Sequence, residues 1–186
     1  YNVSNLTGVI ACLCALGQRL DDAAKACQAL PPVPGRMELL GVAGEPLVIV
    51  DFAHTPDAIE KALRAIQPLA ALRGGDIICV LGCGGNRDKA KRPLMAAVAE
   101  TYAQQIVLTS DNPRLEDPEA ILRDMRVGLK APQSARVVVD RAQAIAEAVQ
   151  HAQQNDLVLI AGKGHETYQE INDVKDRKST RLNSSH

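Results

Sequence analysis

Between residues 47 and 162 short apolar segments alternate with amphipathic ones, and few folds admit that order. "LVIVDF" (47–52), "DIICVLG" (76–82), "QIVLTS" (105–110), "ARVVVD" (135–140) and "DLVLIAG" (156–162) carry no alternating polar face, so both sides of each strand must be covered. Between them, "TPDAIEKALRAIQPL", "KRPLMAAVAETYA", "DPEAILRDMRVGL" and "AQAIAEAVQHAQ" place apolar residues at helical spacing. This order specifies a doubly wound, mostly parallel α/β sheet of Rossmann-like type, with helices on both faces. Thr55-Pro56-Asp57 and Asp117-Pro118-Glu119 each set a cap residue, a first-turn proline and an acid in sequence, which marks two helix starts.

Residues 4–30 read as two helices around Gly17, with Asp21 as N-cap of the second. They have no strands of their own to pack on. The break "PPVPGRME" reads as an interdomain linker. The expected organisation is helices of a neighbouring domain over 1–33, the α/β domain over 34–172 and a disordered tail over 173–186, ending in the vector-like "RKSTRLNSSH". The chain opens on Tyr1 with no basic leader region, so a truncated start is expected.

With 186 residues, 46% of them hydrophobic, the chain can bury a real core. Its 21 basic and 22 acidic residues nearly cancel to a net charge of -1, and aromatic content is 2%. Nucleic acid is therefore not an expected partner. No apolar stretch approaches the roughly 20 residues that span a bilayer, so no membrane segment is read. Cys12, Cys14, Cys27, Cys79 and Cys83 form an odd set without CxxC pairs, which suits reduced thiols in a cytoplasm. Cys12 and Cys14 on a helix read as packing rather than as a metal site.

In open parallel sheets ligands sit beyond the carboxyl ends of the strands, and every unusual polar cluster falls at such an end. Right-handed crossovers bring "DFAHTPD", "GCGGNRDKAKRP", "SDNPR", "DRA" and "GKGHETY" to one edge. The glycines of "GCGG" do not have G-x-G-x-x-G spacing, and no G-x-x-x-x-G-K-[ST] occurs, so neither a dinucleotide fingerprint nor a P-loop is present. A tight turn accounts for the glycines alone; the donors Arg87, Lys89, Lys91 and Arg92, with Asp88 among them, also suit phosphate or carboxylate. For Asp51 and His54, nucleotide contact and helix capping are both open. A metal at His54 is disfavoured, since no second His or Cys stands at ligand spacing. Arg87 and Arg114 with Asp111 and Glu166 match the two charges of an amino-acid zwitterion; the alternative is surface salt bridging.

Taken together, "NVSN", "PVPGRME", "DFAHTPDAIEKAL", "GCGGNRDKAKRPLM", "DNPR" and "GKGHETYQ", in this order, resemble the Mur ligase family over about residues 1 to 172. The branch they are most similar to adds meso-diaminopimelate to UDP-N-acetylmuramoyl-L-alanyl-D-glutamate. The resemblance implies a monomeric, cytoplasmic, ATP- and Mg²⁺-dependent amide-forming ligase of peptidoglycan synthesis. By motif it puts Asn2 and Asn5 near adenine, Arg36 near the phosphates, and Asp51 and His54 on the nucleotide. It puts Arg87, Asp111, Asn112, Pro113, Arg114, Gly162 and Glu166 on diaminopimelate, with Arg114 gripping the carboxylate that lysine lacks. It identifies no certain catalytic residue and no metal ligand here, because the family's P-loop, modified lysine, Mg²⁺ ligands and uridine-nucleotide domain lie upstream. These 186 residues are thus expected to be inactive alone. The alternatives are another Mur-type or folylpolyglutamate-type ligase domain, a non-catalytic nucleotide-binding or oxidoreductase Rossmann domain, or a piece with only a structural role.

Overall fold

In the computed structural model, residues 2–172 and 174–176 are described, and they divide into two compact units with the boundary between Val33 and Pro34. The first unit holds helices α1 (Asn2–Ala15) and α2 (Leu20–Gln28). Gly17, at φ 92°, ends α1: the amide of Gln18 donates to Leu13 O and that of Gly17 to Cys14 O, the paired bonds that satisfy a helix's last carbonyls. The expected cap at Asp21 is corrected. Helix α2 starts two residues earlier, with Arg19 at the N-cap position, and Asp21 and Asp22 lie within its first turn, where they face the positive end of the helix dipole.

The second unit carries a six-stranded sheet. Its strands are β1 (Glu38–Leu40), β2 (Leu47–Asp51), β3 (Ile77–Leu81), β4 (Gln105–Thr109), β5 (Arg136–Val138) and β6 (Leu157–Ala161), in the order β1-β2-β6-β3-β4-β5. All neighbours run parallel except β1, which pairs antiparallel with β2, Glu38 opposite Val50. The sequence reading ends the linker at Glu38 and assigns no strand before residue 47. Three residues are too few to show a period, and it is the turn through Gly41 and Gly44, both at positive φ, that returns the chain to pair.

Helices α3 (Pro56–Arg73), α4 (Lys91–Tyr102) and α5 (Pro118–Arg126) follow β2, β3 and β4, and their apolar stripes share one core with Ile49, Cys79, Leu81, Ile106, Leu108 and Leu159. Helix α6 (Arg141–His151) returns the chain from β5 to β6 and packs Ala144, Ile145 and Ala148 on Val48, Val50, Ile78, Val80 and Ile160. Reversing the direction of travel across the sheet moves a right-handed crossover to the opposite face, which is why α6 stands apart from the other three. Each fully buried Leu or Ile contributes about 1.5–3 kcal/mol, so the two cores fix the register that places the strand ends.

Both expected caps form: Thr55 Oγ1 accepts from the amide of Ala58 and Asp117 Oδ1 from that of Glu119. Helix α3 runs past Pro68 to Arg73 and stops at Gly74, which takes the left-handed conformation. Beyond the sheet, β7 (Gln169–Ile171) pairs antiparallel with β8 (Val174–Asp176), a hairpin where the sequence reading expects irregular chain from residue 173. The rest of that expectation falls on residues 177–186, outside the described residues.

Candidate functional site

A cleft of about 500 Å³ lies at the carboxyl edge of the sheet, where the loops after β2, β3, β4 and β6 meet. His54, Arg87, Asp88, Lys91, Arg92, Asp111, Asn112, Arg114, Gly162 and Glu166 of the sequence-derived residues line it, with Phe52 and Gly84.

Glycines allow the loops to approach. A Cβ on Gly82 would stand 2.4 Å from Thr109 O, and one on Gly85 1.9 Å from Pro113 O. The "GCGG" stretch is thus a close contact between the β3 and β4 loops, closed by the Gly85 amide donating to Asn112 O at 2.8 Å. Pro113 serves that contact and does not line the cleft; its carbonyl also accepts from the Glu116 amide.

Arg114 holds φ 52° and is tied by its backbone to the β7 strand, donating to Glu170 O at 2.9 Å and accepting from the Asn172 amide at 2.8 Å. Its Nη1 donates to Gly85 O at 2.7 Å and its Nε pairs with Glu170 at 3.2 Å. Among the described residues the Nη2 donors of this fixed guanidinium have no hydrogen-bond partner, and planar donors of this kind suit a carboxylate. Arg87 and Lys91, both exposed, make no ion pair among the described residues. Gly84 separates Arg87 from Arg114: a Cβ there would lie 3.0 Å from Arg114 Nη1 and 3.7 Å from Arg87 Cγ.

Arg92, read from the sequence as a ligand donor, is 1% exposed and already engaged. It bonds Asp124 at 2.8 Å and Glu116 at 2.9 Å. Glu116 also accepts from the Asn86 amide and pairs with Lys89 at 3.3 Å. The Arg92 hydrogen bond, with the Asn86 amide, pulls the Glu116 carboxyl down to about 2. A buried guanidinium needs such acceptors, so two of the four basic residues of this loop brace it.

On the opposite wall Asn112 is a clamp rather than a free contact. Its Oδ1 accepts from Lys163 Nζ at 2.7 Å and from the Glu170 amide at 2.9 Å, while its Nδ2 donates to Glu166 Oε2 at 3.2 Å. Burial pushes the Glu166 carboxyl up, but Lys163, Asn112 and Arg114 outweigh it, and the group sits below the ordinary carboxylate range. Gly162, at φ 113°, leaves room for Asp111. The sequence reading did not single out Lys163, Gln169 or Arg141. Gln169 Nε2 donates to Asp111 O at 2.6 Å, and Arg141, 1% exposed, donates to Ala161 O at 2.9 Å. The available signal was a cation between two glycines directly after an apolar strand.

For Asp51 the resemblance implies a nucleotide contact, and within this chain its carboxylate serves backbone amides. It is 1% exposed, outside the cleft lining, and its oxygens accept from the amides of Met37 at 2.9 Å and Ala53 at 2.8 Å. His54 donates from Nδ1 to Phe52 O at 2.7 Å, which leaves Nε2 at the cleft. Arg36 is exposed and stacks on the Phe52 ring at 5.1 Å, with His165 edge-on to the same ring. Asn5 is exposed on α1 in the first unit, and the side chain of Asn2 lies outside the described residues. Among the described residues no three His, Cys, Asp or Glu side chains converge to hold a metal ion.

Guanidinium groups and carboxylates line a cleft at the carboxyl edge of a doubly wound sheet, the place where open α/β domains bind small ligands. The chain belongs to the Mur ligase family: the model for "Mur ligase, glutamate ligase domain" matches residues 35–164. Among its relatives, the UDP-N-acetylmuramoyl-L-alanyl-D-glutamate--2,6-diaminopimelate ligase of Acidovorax sp. (strain JS42) is 60% identical over 91% of this chain and 34% of its own length. The enzyme of the same name from Janthinobacterium sp. (strain Marseille) is 50% identical over 100% of this chain and 36% of its own. A solved structure of a ligase of that name superposes with a TM-score of 0.70 at 41% identity, covering 94% of this chain and 35% of the other. The chain thus spans about a third of the length of the curated relatives it matches.

Proposed function

We propose that this chain supplies the amino-acid-binding domain of an ATP-dependent cytoplasmic ligase that joins meso-diaminopimelate to UDP-N-acetylmuramoyl-L-alanyl-D-glutamate. The observation that carries this reading is the tethered guanidinium of Arg114 in one cleft with Asp111 and Glu166. Arg114, with Arg87, takes the carboxylate at one end of diaminopimelate. Asp111 and Glu166 take the ammonium beside it. The other end of the molecule then projects from the cleft with its amine oriented for attack, and orientation of this kind removes much of the entropic barrier to amide formation. L-Lysine lacks the distal carboxylate and would leave Arg114 without its partner.

ATP supplies the activation of the carboxylate that receives the amine. Arg36 and His54, donors free of carboxylate partners among the described residues, are the groups here assigned to its phosphates and sugar. Among the described residues no side-chain cluster fits a Mg²⁺ site, and no role in holding one is assigned to them. The first unit is assigned to the end of a neighbouring ATP-binding domain, a reading supported by the family match starting at residue 35, just past the unit boundary. No helix among the described residues is long and apolar enough to cross a membrane.

Calorimetric titration of the chain with meso-diaminopimelate and with L-lysine tests the assignment. Selective binding of diaminopimelate that is lost in Arg114→Ala supports it. Equal affinity for both ligands, or binding of neither by a chain that circular dichroism shows folded, overturns it.

A further inference from the structure

Lys163 does not line the cleft, yet it reaches three of the residues that do. It is 1% exposed, and a lysine ammonium is seldom buried so fully without compensating acceptors. Here Nζ donates to Asn112 Oδ1 at 2.7 Å and to Glu166 Oε2 at 3.0 Å, and lies 3.8 Å from Asp111 Oδ1. The ring of Tyr168 stands 5.8 Å away. Building on the amino-acid site proposed above, we propose that Lys163 is a positioning residue, a built-in ammonium on the inner side of the acid cluster that keeps Glu166, beside Asp111, an ionised acceptor for the ammonium of the incoming amino acid.

Two carboxylates sharing one site repel, and one of them is ordinarily driven to hold a proton. A protonated carboxyl is a poorer acceptor for a ligand ammonium. The groups facing Glu166 are Lys163 and Asn112 by hydrogen bond, with Arg114 and Arg141 acting through charge, and Asp111 is the like charge of the cluster. Arg114 is engaged by Gly85 and Glu170, and Arg141 by the carbonyls of Ala161 and Ser110. Lys163 is therefore the cation that hydrogen-bonds a carboxylate of the cluster among the described residues. The position of the Glu166 carboxyl below its ordinary range agrees, because Lys163 supplies the two strongest influences opposing burial.

The test is calorimetric titration with meso-diaminopimelate at pH 6 and pH 8 for the wild-type chain, Lys163→Met and Lys163→Gln. The wild type should bind with nearly equal affinity at both. Each variant should weaken more at pH 6 than at pH 8, by about tenfold where loss of the ammonium lifts the carboxyl midpoint to about 7, within the range that burial and a neighbouring carboxylate can produce. A loss equal at both pH values marks a purely structural role and overturns the proposal. A carbon-detected NMR titration of the Glu166 carboxyl gives a reading independent of ligand. A wild-type midpoint below that of free glutamate supports the proposal, and one at or above it overturns it even if neither variant folds. Absence of diaminopimelate binding by the wild type at either pH defeats the amino-acid reading, while a rise of the Glu166 midpoint from the wild type to Lys163→Gln still decides the role of Lys163.

Discussion

A Cβ on Gly162 would stand 2.6 Å from Asp111 Oδ2, well inside the distance that real atoms tolerate. The glycine at the end of β6 thus makes room for the carboxylate that follows β4, and its φ of 113° is one that other residues rarely adopt. Gly162→Ala should cost about 1–3 kcal/mol of stability through backbone strain and displace the Asp111 side chain. Thermal unfolding and diaminopimelate titration should both register it, and unchanged affinity would remove Asp111 from the list of ligand contacts.

Glu116 predicts an acid limb in the stability of the domain. Its carboxyl is depressed to about 2 in the folded chain from an ordinary value of 4.5, chiefly by Arg92. A depressed acid contributes stability that is fully present above the unfolded value and lost as pH falls through the folded one, so the contribution should fade between about pH 4.5 and pH 2. Glu116→Gln should flatten this limb in denaturant titrations. At neutral pH it should cost roughly 1–3 kcal/mol, because Arg92 loses a charged acceptor.

Asp117→Ala removes the side chain that caps α5 and accepts from the Glu119 amide. Loss of such a cap costs about 1 kcal/mol. Asp117 lies outside the cleft lining, so the midpoint of urea unfolding should fall while diaminopimelate affinity stays constant.

The thiols separate by environment. Burial pushes Cys79 up to about 12, and burial with the nearby Asp111 pushes Cys83 to about 12. Thiolate is then scarce at neutral pH. Iodoacetamide at pH 8, read by mass spectrometry of the folded chain, should modify the exposed Cys12 and spare Cys79 and Cys83. Rapid labelling of Cys83 would mean that the cleft floor opens far more than its packing against Met95 indicates.

The order of strands and helices, the caps at Thr55 and Asp117 and the gathering of polar loops at one sheet edge were all determined by the sequence itself. Each is a local property, or a local property combined with the fixed hand of crossovers. Asp111, Arg114 and Glu166 were legible for the same reason: charges at the carboxyl ends of apolar strands have one place to go. Strand β1 was not, since three residues show no period. Both Arg87 and Arg92 line the cleft, and the sequence could not separate the exposed Arg87 from Arg92 five residues on, which is buried on Glu116 and Asp124. Their partners decide the matter, and those stand 24 and 32 residues from Arg92. Asp51 turned to the amides of Met37 and Ala53, and Lys163 to Asn112 across 51 residues of chain, for the same reason. A buried charge must find its acceptors wherever packing brings them, so only the tertiary structure decided which of the charges at this edge brace the site and which are left for a ligand.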